Sequence, residues 1–501
     1  MSDIELKPKS GSYSRGRLSK AEISVLRDRR MSQYEGKTAS IPLCIFNLMN
    51  AILGSGILGL ANAVANLGIA LFTIMLVAVA GLAFNSIRLL LAMCDYTGES
   101  SYEALGKAAF GFSGKVLTVV NIFVHTMGAM CSFLFIVKYE LPEVIRVLTG
   151  SDECAMDWYL NGDVLVIIVT IVIIMPLASA KNIGFLGYTS GFAMGCMIFF
   201  TAVIVVEHWI IPCPIREHVN DHSANSTSNT EESMGSDIVN STMDLITSAT
   251  ESMLHDNPNN SSICESRTSH IYVEFEEGLE NQVCKAESFT WNAKSAYAIP
   301  TMVFAFQCHA SVLPIYTELD RPTKSRMHKV AVVSISNVFV LYFLASLFGY
   351  LTFYNAVGPE LLLMYSAYDP TNAVILVSRI MVLICVIFSA PLLHYPARKS
   401  IVELFFENQP FSWVRHLVIM FILLTITNVL VIYVPTIREV FGFAGATCAS
   451  MLVIILPSLF YIRLAPGKLL SARKLVPLLL VILGIGFMIM SMTLIIVGWI
   501  M

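Results

Sequence analysis

Long apolar segments recur along the chain, and they constrain its fold more than any other feature. Most of them reach the roughly 20 residues that a helix needs to cross a bilayer. Charged residues make up only 14% of the 501 residues, against about 25% in soluble domains. A single soluble domain of this size cannot bury so much apolar surface. We therefore predict an all-α polytopic membrane protein with about eleven spans, at 41–66, 68–94, 115–139, 162–180, 185–209, 294–317, 328–354, 371–396, 412–434, 438–463 and 475–499.

The polar segments indicate how the chain is oriented. Residues 1–40 are basic and no cleavable signal sequence precedes the first span, so the positive-inside rule predicts a cytosolic tail. An insert at 211–292 is rich in Ser, Asn, Thr and acidic residues, and this topology places it outside. It carries four N-glycosylation sequons, at Asn225, Asn240, Asn259 and Asn260.

The predicted topology places the cysteines of the insert outside the cell, in a compartment where disulfides persist. Cys213, Cys264 and Cys284 are an odd number, so one is free or pairs elsewhere, and Cys154 in an earlier external loop is the candidate partner. The alternative is that all three are free thiols. The eleven cysteines form no C-x-x-C pair, which argues against a zinc or redox motif.

Few charged residues fall inside the spans, and those that do lie near span ends. Snorkelling of the charged group to the interface is the expected explanation. The residues concerned are Arg88, Lys138, Glu140, Glu207, Glu318 and Arg379. No nucleophile–base pair or buried metal cluster appears at a plausible spacing, so we do not expect an enzyme.

Two spans have interrupted helical patterns at matching positions. Three glycines between residues 54 and 59 weaken the first span, and Pro300, Pro314 and a central His309 make the sixth equally irregular. The sixth span lies five spans after the first, so the two spans cross the membrane in opposite directions and the broken segments are antiparallel. Such a pair indicates a transporter site near the midplane.

A broken helix exposes backbone groups that a ligand can satisfy. N–H groups near residues 55–56 suit a carboxylate, and carbonyls near residues 50–53 suit a cation. The alternative for the glycines is tight helix packing. His309 is either a neutral histidine that closes the broken backbone or a group for substrate or proton coupling. The candidate substrate-binding residues are Gly54, Ser55, Gly56, Phe306 and His309.

The sequence Asn47-Leu-Met-Asn-Ala-Ile-Leu-Gly-Ser-Gly-Ile-Leu-Gly-Leu resembles the first-span signature of the sodium-coupled neutral amino-acid transporters. This system A and N group belongs to the amino acid/auxin permease superfamily. The resemblance runs from about residue 38 to the C-terminus, apart from the insert. Further matching stretches begin at Phe133, Gly184, Phe306, Leu347 and Val434.

The resemblance implies a five-plus-five inverted repeat of the leucine-transporter type, with helices 1 and 6 broken and one extra helix. The first repeat would cover 41–210 and the second 293–463, with the eleventh helix and an external C-terminus in 464–501. The resemblance also implies uptake of small neutral amino acids, such as glutamine or alanine, with inward sodium and no other cofactor. A monomer is expected, in the plasma membrane or alternatively the endolysosomal membrane, without nucleic-acid partners.

Carried over to this sequence, the resemblance gives roles to particular residues. Asn50 falls on an asparagine linked to sodium, and Leu53 and Ser389 complete the expected sodium ligands. Ser55 and Gly56 fall on the segment that holds the substrate backbone. The external disulfide of the family corresponds to Cys213 and Cys284.

Two departures from the family pattern affect the expected coupling. Ile387 stands where the family has the first of two hydroxyl residues, and only its backbone carbonyl can reach a cation. His125-Thr126 replaces the usual Gln-Asn, and the stretch from His394 is more similar to an orphan branch. A proton-coupled or uncoupled carrier and an amino-acid sensor are therefore the alternatives.

Overall fold

The computed structural model describes residues 39–150, 157–179, 186–211, 284–290, 295–369, 372–406, 409–433, 437–467 and 471–500. Most of these residues are helical. The four sequons, Cys213, Cys264, Cys154 and the basic tail before residue 39 lie outside them. The helices are α1 Ile41–Ile52, α2 Gly56–Leu67, α3 Ile69–Thr97, α4 Tyr102–Thr149, α5 Gly162–Ala178, α6 Leu186–Ile210, α7 Ser295–Ala305, α8 His309–Glu318, α9 Lys324–Phe353, α10 Leu361–Tyr368, α11 Ala373–Phe405, α12 Trp413–Tyr433, α13 Val440–Leu464 and α14 Ala472–Ile500.

The helices confirm the predicted membrane class. Among the described residues, nine helical segments are long and apolar enough to cross a bilayer, with α7 and α8 counted as one segment. The bent pair α1–α2 supplies one more, and α5 is a shorter apolar helix at the position of the predicted fourth span. Every predicted span therefore has a helical counterpart.

Burial separates the central helices from the peripheral ones. The most apolar windows of α4, α13 and the α7–α8 segment are each 78% buried, whereas that of α14 is 22% buried. Large apolar side chains of α14, such as Leu479 and Ile482, are exposed and therefore suit contact with lipid. The peripheral position of α14 is consistent with an extra helix outside the two repeats.

Both predicted breaks are present. α1 ends at Ile52, α2 begins at Gly56, and the two helices are bent by 54°. In the sixth span, α7 ends at Ala305 and α8 begins at His309. The broken spans also meet at one end, where the Ala39 N–H donates to the Glu318 carbonyl at 2.7 Å.

The expectation that charged side chains snorkel is wrong for three of them. Arg379 Nε lies 3.2 Å from Glu140 Oε2, and these side chains are 3% and 0% exposed. Arg379 also donates to the Leu362 carbonyl at 3.3 Å, and Glu207 is buried as well. Arg379 and Glu140 turn inward because α11 and α4 pack together, which lets opposite charges pair inside the protein. The Glu207 carboxylate instead accepts from the Asn372 amide at 3.5 Å.

A further acidic residue joins this region without having been predicted. Glu360 lies directly before α10, in the segment that connects α9 to α11, and it is 5% exposed. Burial, together with the nearby Glu140 carboxyl, raises the pKa of Glu360 well above its usual range. The guanidinium of Arg379 acts in the opposite direction. The short helix α10 is thus attached to the bundle through buried polar groups.

The third span is longer than predicted. The sequence indicated 115–139. A kink at Phe110–Gly111, where Gly111 has φ +68°, divides α4 into a short helix that begins at Tyr102 and a longer one that ends at Thr149. The prediction stopped early because polar residues interrupt the apolar pattern near both ends. Lys115, for example, is buried and donates to the Glu403 carbonyl at 2.8 Å.

Candidate substrate and cation site

Close packing at the break in the first span explains two of its glycines. A Cβ atom on Gly56 would lie 2.9 Å from Ala305 Cβ and 3.1 Å from Ala305 Cα. A Cβ atom on Gly54 would lie 2.7 Å from the Phe133 ring. The break therefore touches α4 and the end of α7. A side chain at Gly56 would meet the backbone of α7, and one at Gly54 would displace the Phe133 ring.

Tyr342 on α9 joins the two breaks. Its hydroxyl lies 2.7 Å from the Ile52 carbonyl and 3.0 Å from the Ala305 carbonyl, which are the last carbonyls of α1 and α7. The same oxygen hydrogen-bonds the backbone of Gly54. Because a phenol has a single O–H, it donates to one carbonyl at a time. One fully buried side chain thus holds both helix ends in place.

Ser55 is fixed through its side chain as well as its backbone, whose carbonyl accepts from the Leu58 N–H at 3.1 Å. Ser55 Oγ lies 2.5 Å from Ser132 Oγ on α4, and Ser132 Oγ donates to the Ala129 carbonyl at 2.8 Å. This contact orients the first turn of α2. The first N–H groups of a helix have no partner within the helix, and they favour an anion such as a carboxylate.

A chain of hydrogen bonds connects three helices beside the break. Ser389 Oγ on α11 donates to Asn50 Oδ1 at 2.9 Å, and Asn50 Nδ2 donates to Ser190 Oγ on α6 at 3.2 Å. All three side chains are buried. The cluster gathers three hard oxygen atoms, the ligand type that alkali and alkaline-earth cations prefer.

The other predicted residues occupy the same region. Leu53 closes α1, with its N–H donating to the Met49 carbonyl at 2.7 Å. Phe306 lies inside the second break, and its ring packs edge-on against Tyr342 with centroids 5.3 Å apart. Ile387 is half-buried on α11, two residues before Ser389. Direct ligand roles for these residues stay predictions.

His309 does not close the broken backbone in the way that one alternative predicted. Its Nδ1 atom lies 2.8 Å from Oε1 of Gln307, so its partner is a side chain within the break. Its Nε2 atom is buried and has no hydrogen-bond partner among the described residues. The imidazole therefore faces the break with one nitrogen available.

Small cavities adjoin the breaks on opposite sides. One, of about 20 Å³, is lined by residues of α1, α8 and α11, including Asn47 and Ser311. The other, of about 10 Å³, is lined by residues of α2, α7 and α13, including Thr301 and Phe441. Each has room for about one water molecule. Neither of these two cavities is large enough for an amino acid.

The predicted disulfide lies mostly beyond the described residues. Cys284 is disulfide-bonded, but its partner is not among the described residues, so pairing with Cys213 stays a prediction. Seven other cysteines of the described residues are buried and form no disulfide.

Four residues of the region were missed by sequence reasoning, namely Ser132, Ser190, Gln307 and Tyr342. All four lie within largely apolar spans, where a polar residue usually reflects an internal hydrogen bond. Only the arrangement of α4, α6 and α9 around the breaks shows that they point inward. Only Gln307 could have been identified from the sequence as a site residue, because it directly precedes Cys308-His309 in the irregular sixth span.

Tyr342→Phe tests the link between the breaks. Loss of the hydroxyl leaves buried carbonyls without their donor, at a cost of about 1–3 kcal/mol. We expect amino-acid uptake to fall about tenfold at equal surface expression, because the two helix ends lose their common contact. Tyr159→Phe is the matched control, since the Tyr159 hydroxyl bonds Asp157 at an exposed site. Equal loss in both variants would contradict a specific role for Tyr342.

Comparisons of the sequence with known proteins identify similar transporters. The sequence profile described as transmembrane amino acid transporter protein matches residues 37–239 and 263–501. Sodium-coupled neutral amino acid transporter 4 of Homo sapiens is 46% identical over 475 residues, covering 92% of this chain and 85% of the relative. Sodium-coupled neutral amino acid symporter 2 of Danio rerio is 42% identical over 470 residues, covering 94% and 84%.

Among solved structures, Mhp1, a nucleobase-cation-symport-1 family transporter in a closed conformation with bromovinylhydantoin bound, is also similar. Its TM-score is 0.48 and its identity 11%, with 92% of each chain covered. The family profile covers most of the chain, and the two curated relatives are similar over nearly their whole length. The chain therefore belongs to the transmembrane amino acid transporter family.

Proposed function

We propose that the chain is a symporter that moves small neutral amino acids across a membrane together with inward sodium. The observation that carries this proposal is the meeting of two antiparallel breaks beside a buried cluster of polar oxygens. The names of the relatives from Homo sapiens and Danio rerio describe sodium-coupled neutral amino acid transport and support the same function.

The amino acid would bind at the start of α2. Its carboxylate would meet the N–H groups near Ser55 and Gly56, where the helix dipole favours negative charge. Its ammonium group would face backbone carbonyls that the break leaves exposed. A zwitterion can therefore be held without an ionised side chain, which suits spans that contain few charges.

Sodium would bind at the cluster of Asn50, Ser389 and Ser190, with the backbone of Leu53 as a further ligand. Ser190 would supply the hydroxyl that Ile387 lacks. In the arrangement described, the Ser389 hydroxyl points at Asn50 Oδ1. Rotation of that O–H would turn oxygen lone pairs of both residues toward a cation.

Coupling to sodium provides enough free energy for accumulation. One positive charge that moves through about 100 mV releases about 2.3 kcal/mol. Since about 1.4 kcal/mol corresponds to a factor of ten, the potential alone supports more than tenfold accumulation. Rocking of one helical bundle against the other around the breaks would expose the site alternately to each side.

Uptake of radiolabelled amino acids into proteoliposomes tests the proposal. We expect alanine and glutamine to accumulate in a sodium gradient, and replacement of sodium by choline to reduce uptake at least tenfold. Uptake that is equal in choline but rises with an inward proton gradient would support the proton-coupled alternative. Binding without flux under every ion condition would support the sensor.

The location of the protein is a separate question with its own measurement. We propose the plasma membrane, where an external compartment supplies sodium and the sequons in the insert would be glycosylated. Surface biotinylation of the full chain should label most of the protein. Protein that stays unlabelled at the surface and fractionates with endolysosomal membranes would contradict this location.

A further inference from the structure

One cavity beside the breaks contains a buried polar atom without a partner. The cavity of about 20 Å³ is lined by residues of α1, α8 and α11, among them Asn47, Ser311 and Glu318. Asn47 is 2% exposed, and its Oδ1 atom has no hydrogen-bond partner among the described residues. An unpaired buried polar atom costs about 1–3 kcal/mol, and exchanging the amide oxygen and nitrogen does not remove that cost. The cavity is therefore a place that a small polar ligand completes.

The cavity lies one helical turn from the cluster of Asn50 and Ser389. Asn47 precedes Asn50 by three residues on α1, and Leu392, which also lines the cavity, follows Ser389 by three residues on α11. Residues three apart are neighbours on a helix surface, about 4.5 Å apart along the axis. In the predicted topology α1 runs outward and α11 runs inward. Both lining residues therefore lie on the cytosolic side of the cluster.

Backbone hydrogen bonds close the cytosolic end of the same helices. The Ala39 N–H donates to the Glu318 carbonyl at 2.7 Å, and the Asp320 N–H donates to the Ala39 carbonyl at 2.9 Å. Asn47 lies eight residues after Ala39, and Ser311 lies seven residues before Glu318. At 1.5 Å per helical residue, both are roughly 10–12 Å from this closed end. Asn47 and Ser311 thus lie at a similar depth, between the cluster and the cytosol.

The oxygen atoms that line the cavity define the ligand chemistry. Asn47 and Ser311 supply neutral hard oxygens, and Glu318 supplies a carboxylate on the same face of α8 as Ser311. Hard oxygens are the ligands that alkali cations prefer. The volume suits one water molecule, and a sodium ion without its hydration shell is smaller than that. An anion would be repelled by the carboxylate, so a single small cation fits best.

We propose that Asn47, Ser311 and Glu318 form a relay site, which holds the coupling cation on its way from the cluster to the cytosol. When the contact between Ala39 and Glu318 opens, the ion moves one turn and exchanges the oxygen of Asn50 for that of Asn47. The ion therefore keeps oxygen ligands until water replaces them, which avoids an unpaired buried charge. This inference rests on the proposed sodium-coupled transport and adds its release step.

Two modes of transport separate release of the cation from its binding. Net uptake into a sodium-free lumen requires sodium to leave at the cytosolic side in every cycle, whereas alanine exchange with equal sodium on both sides does not. Right-side-out plasma-membrane vesicles from cells that express the full chain allow both to be measured with radiolabelled alanine. Asn47→Leu keeps the size of the side chain but removes its oxygen. We expect net uptake to fall at least tenfold and exchange to stay within twofold.

Two further variants keep the result clear. Ser311→Ala removes the second neutral oxygen and should lower net uptake at least threefold with exchange preserved. It provides a second test if Asn47→Leu does not reach the surface. Asn337→Leu is the matched control, because the exposed Asn337 side chain donates to the Val333 carbonyl of its own helix. We expect this control to change neither mode.

The outcomes distinguish the relay site from the transport function. Net uptake and exchange that are both unchanged in the folded variants would show that the cavity holds only water. Equal loss of both modes would mean that Asn47 acts in binding or folding rather than in release. Either result overturns the relay site. Absence of both net uptake and exchange in the unmodified protein would overturn the transport function instead.

Discussion

Gly56→Ala should abolish most amino-acid uptake, to below about a tenth of the unmodified rate at equal surface expression. The added Cβ would lie 2.9 Å from Ala305 Cβ and 3.1 Å from Ala305 Cα. Ala305 ends α7, so the contact involves backbone and cannot be relieved by rotating a flexible side chain. Overpacking of this kind costs about 1–3 kcal/mol, and it separates the two breaks at which we propose the site.

The matched control is Gly81→Ala on α3. A Cβ atom at Gly81 has no heavy atom within 4 Å, and alanine favours a helix over glycine by about 1 kcal/mol. We expect this variant to transport as well as the unmodified protein. Uptake by Gly56→Ala within twofold of Gly81→Ala, measured with surface amounts matched by biotinylation, would show that the close approach of the breaks is not required.

Asn50→Ala should raise the sodium concentration for half-maximal uptake at least tenfold. Asn50 is hydrogen-bonded to both Ser389 and Ser190, so its removal deletes one oxygen and leaves two buried hydroxyls without their shared partner. The measurement is alanine uptake as a function of external sodium at constant ionic strength. A shift in sodium dependence, rather than a uniform loss of rate, is the expected signature of a cation ligand.

Two other variants accompany this prediction, one as a control and one that should change sodium dependence in the opposite direction. Asn337→Ala removes an exposed asparagine whose side chain donates to the Val333 carbonyl of its own helix, and sodium dependence should not change. Ile387→Thr adds a hydroxyl two residues before Ser389 and should lower the half-maximal sodium concentration several-fold. An unchanged sodium dependence in both Asn50→Ala and Ile387→Thr would remove this cluster from the coupling mechanism.

The broad architecture was predictable because the membrane constrains it strongly. Apolar length identifies a span without knowledge of its neighbours, and glycine or proline in the middle of a span indicates where the helix breaks. The breaks therefore appeared as predicted at residues 53–55 and 306–308. The pairing of Asn50 with Ser389 followed from the family resemblance rather than from any periodic pattern.

What the sequence left unresolved depends on which side of a helix faces another helix. Tyr342, Ser190 and Gln307 are polar residues in apolar surroundings, and the pattern alone does not separate an internal hydrogen bond from a site. Glu140 and Arg379 lie at the ends of spans, where snorkelling and a buried ion pair look alike in sequence. Packing of α4 against α11 decides between them.

Simultaneous measurement of sodium and amino-acid flux tests the central claim most directly. Purified protein in proteoliposomes is given radiolabelled sodium and radiolabelled alanine, with the membrane potential clamped by a potassium ionophore. We predict that alanine stimulates sodium influx, that the two fluxes keep a fixed ratio as alanine is varied, and that Asn50→Ala reduces both together. Alanine influx at the full rate with no accompanying sodium influx would contradict sodium-coupled transport by this protein.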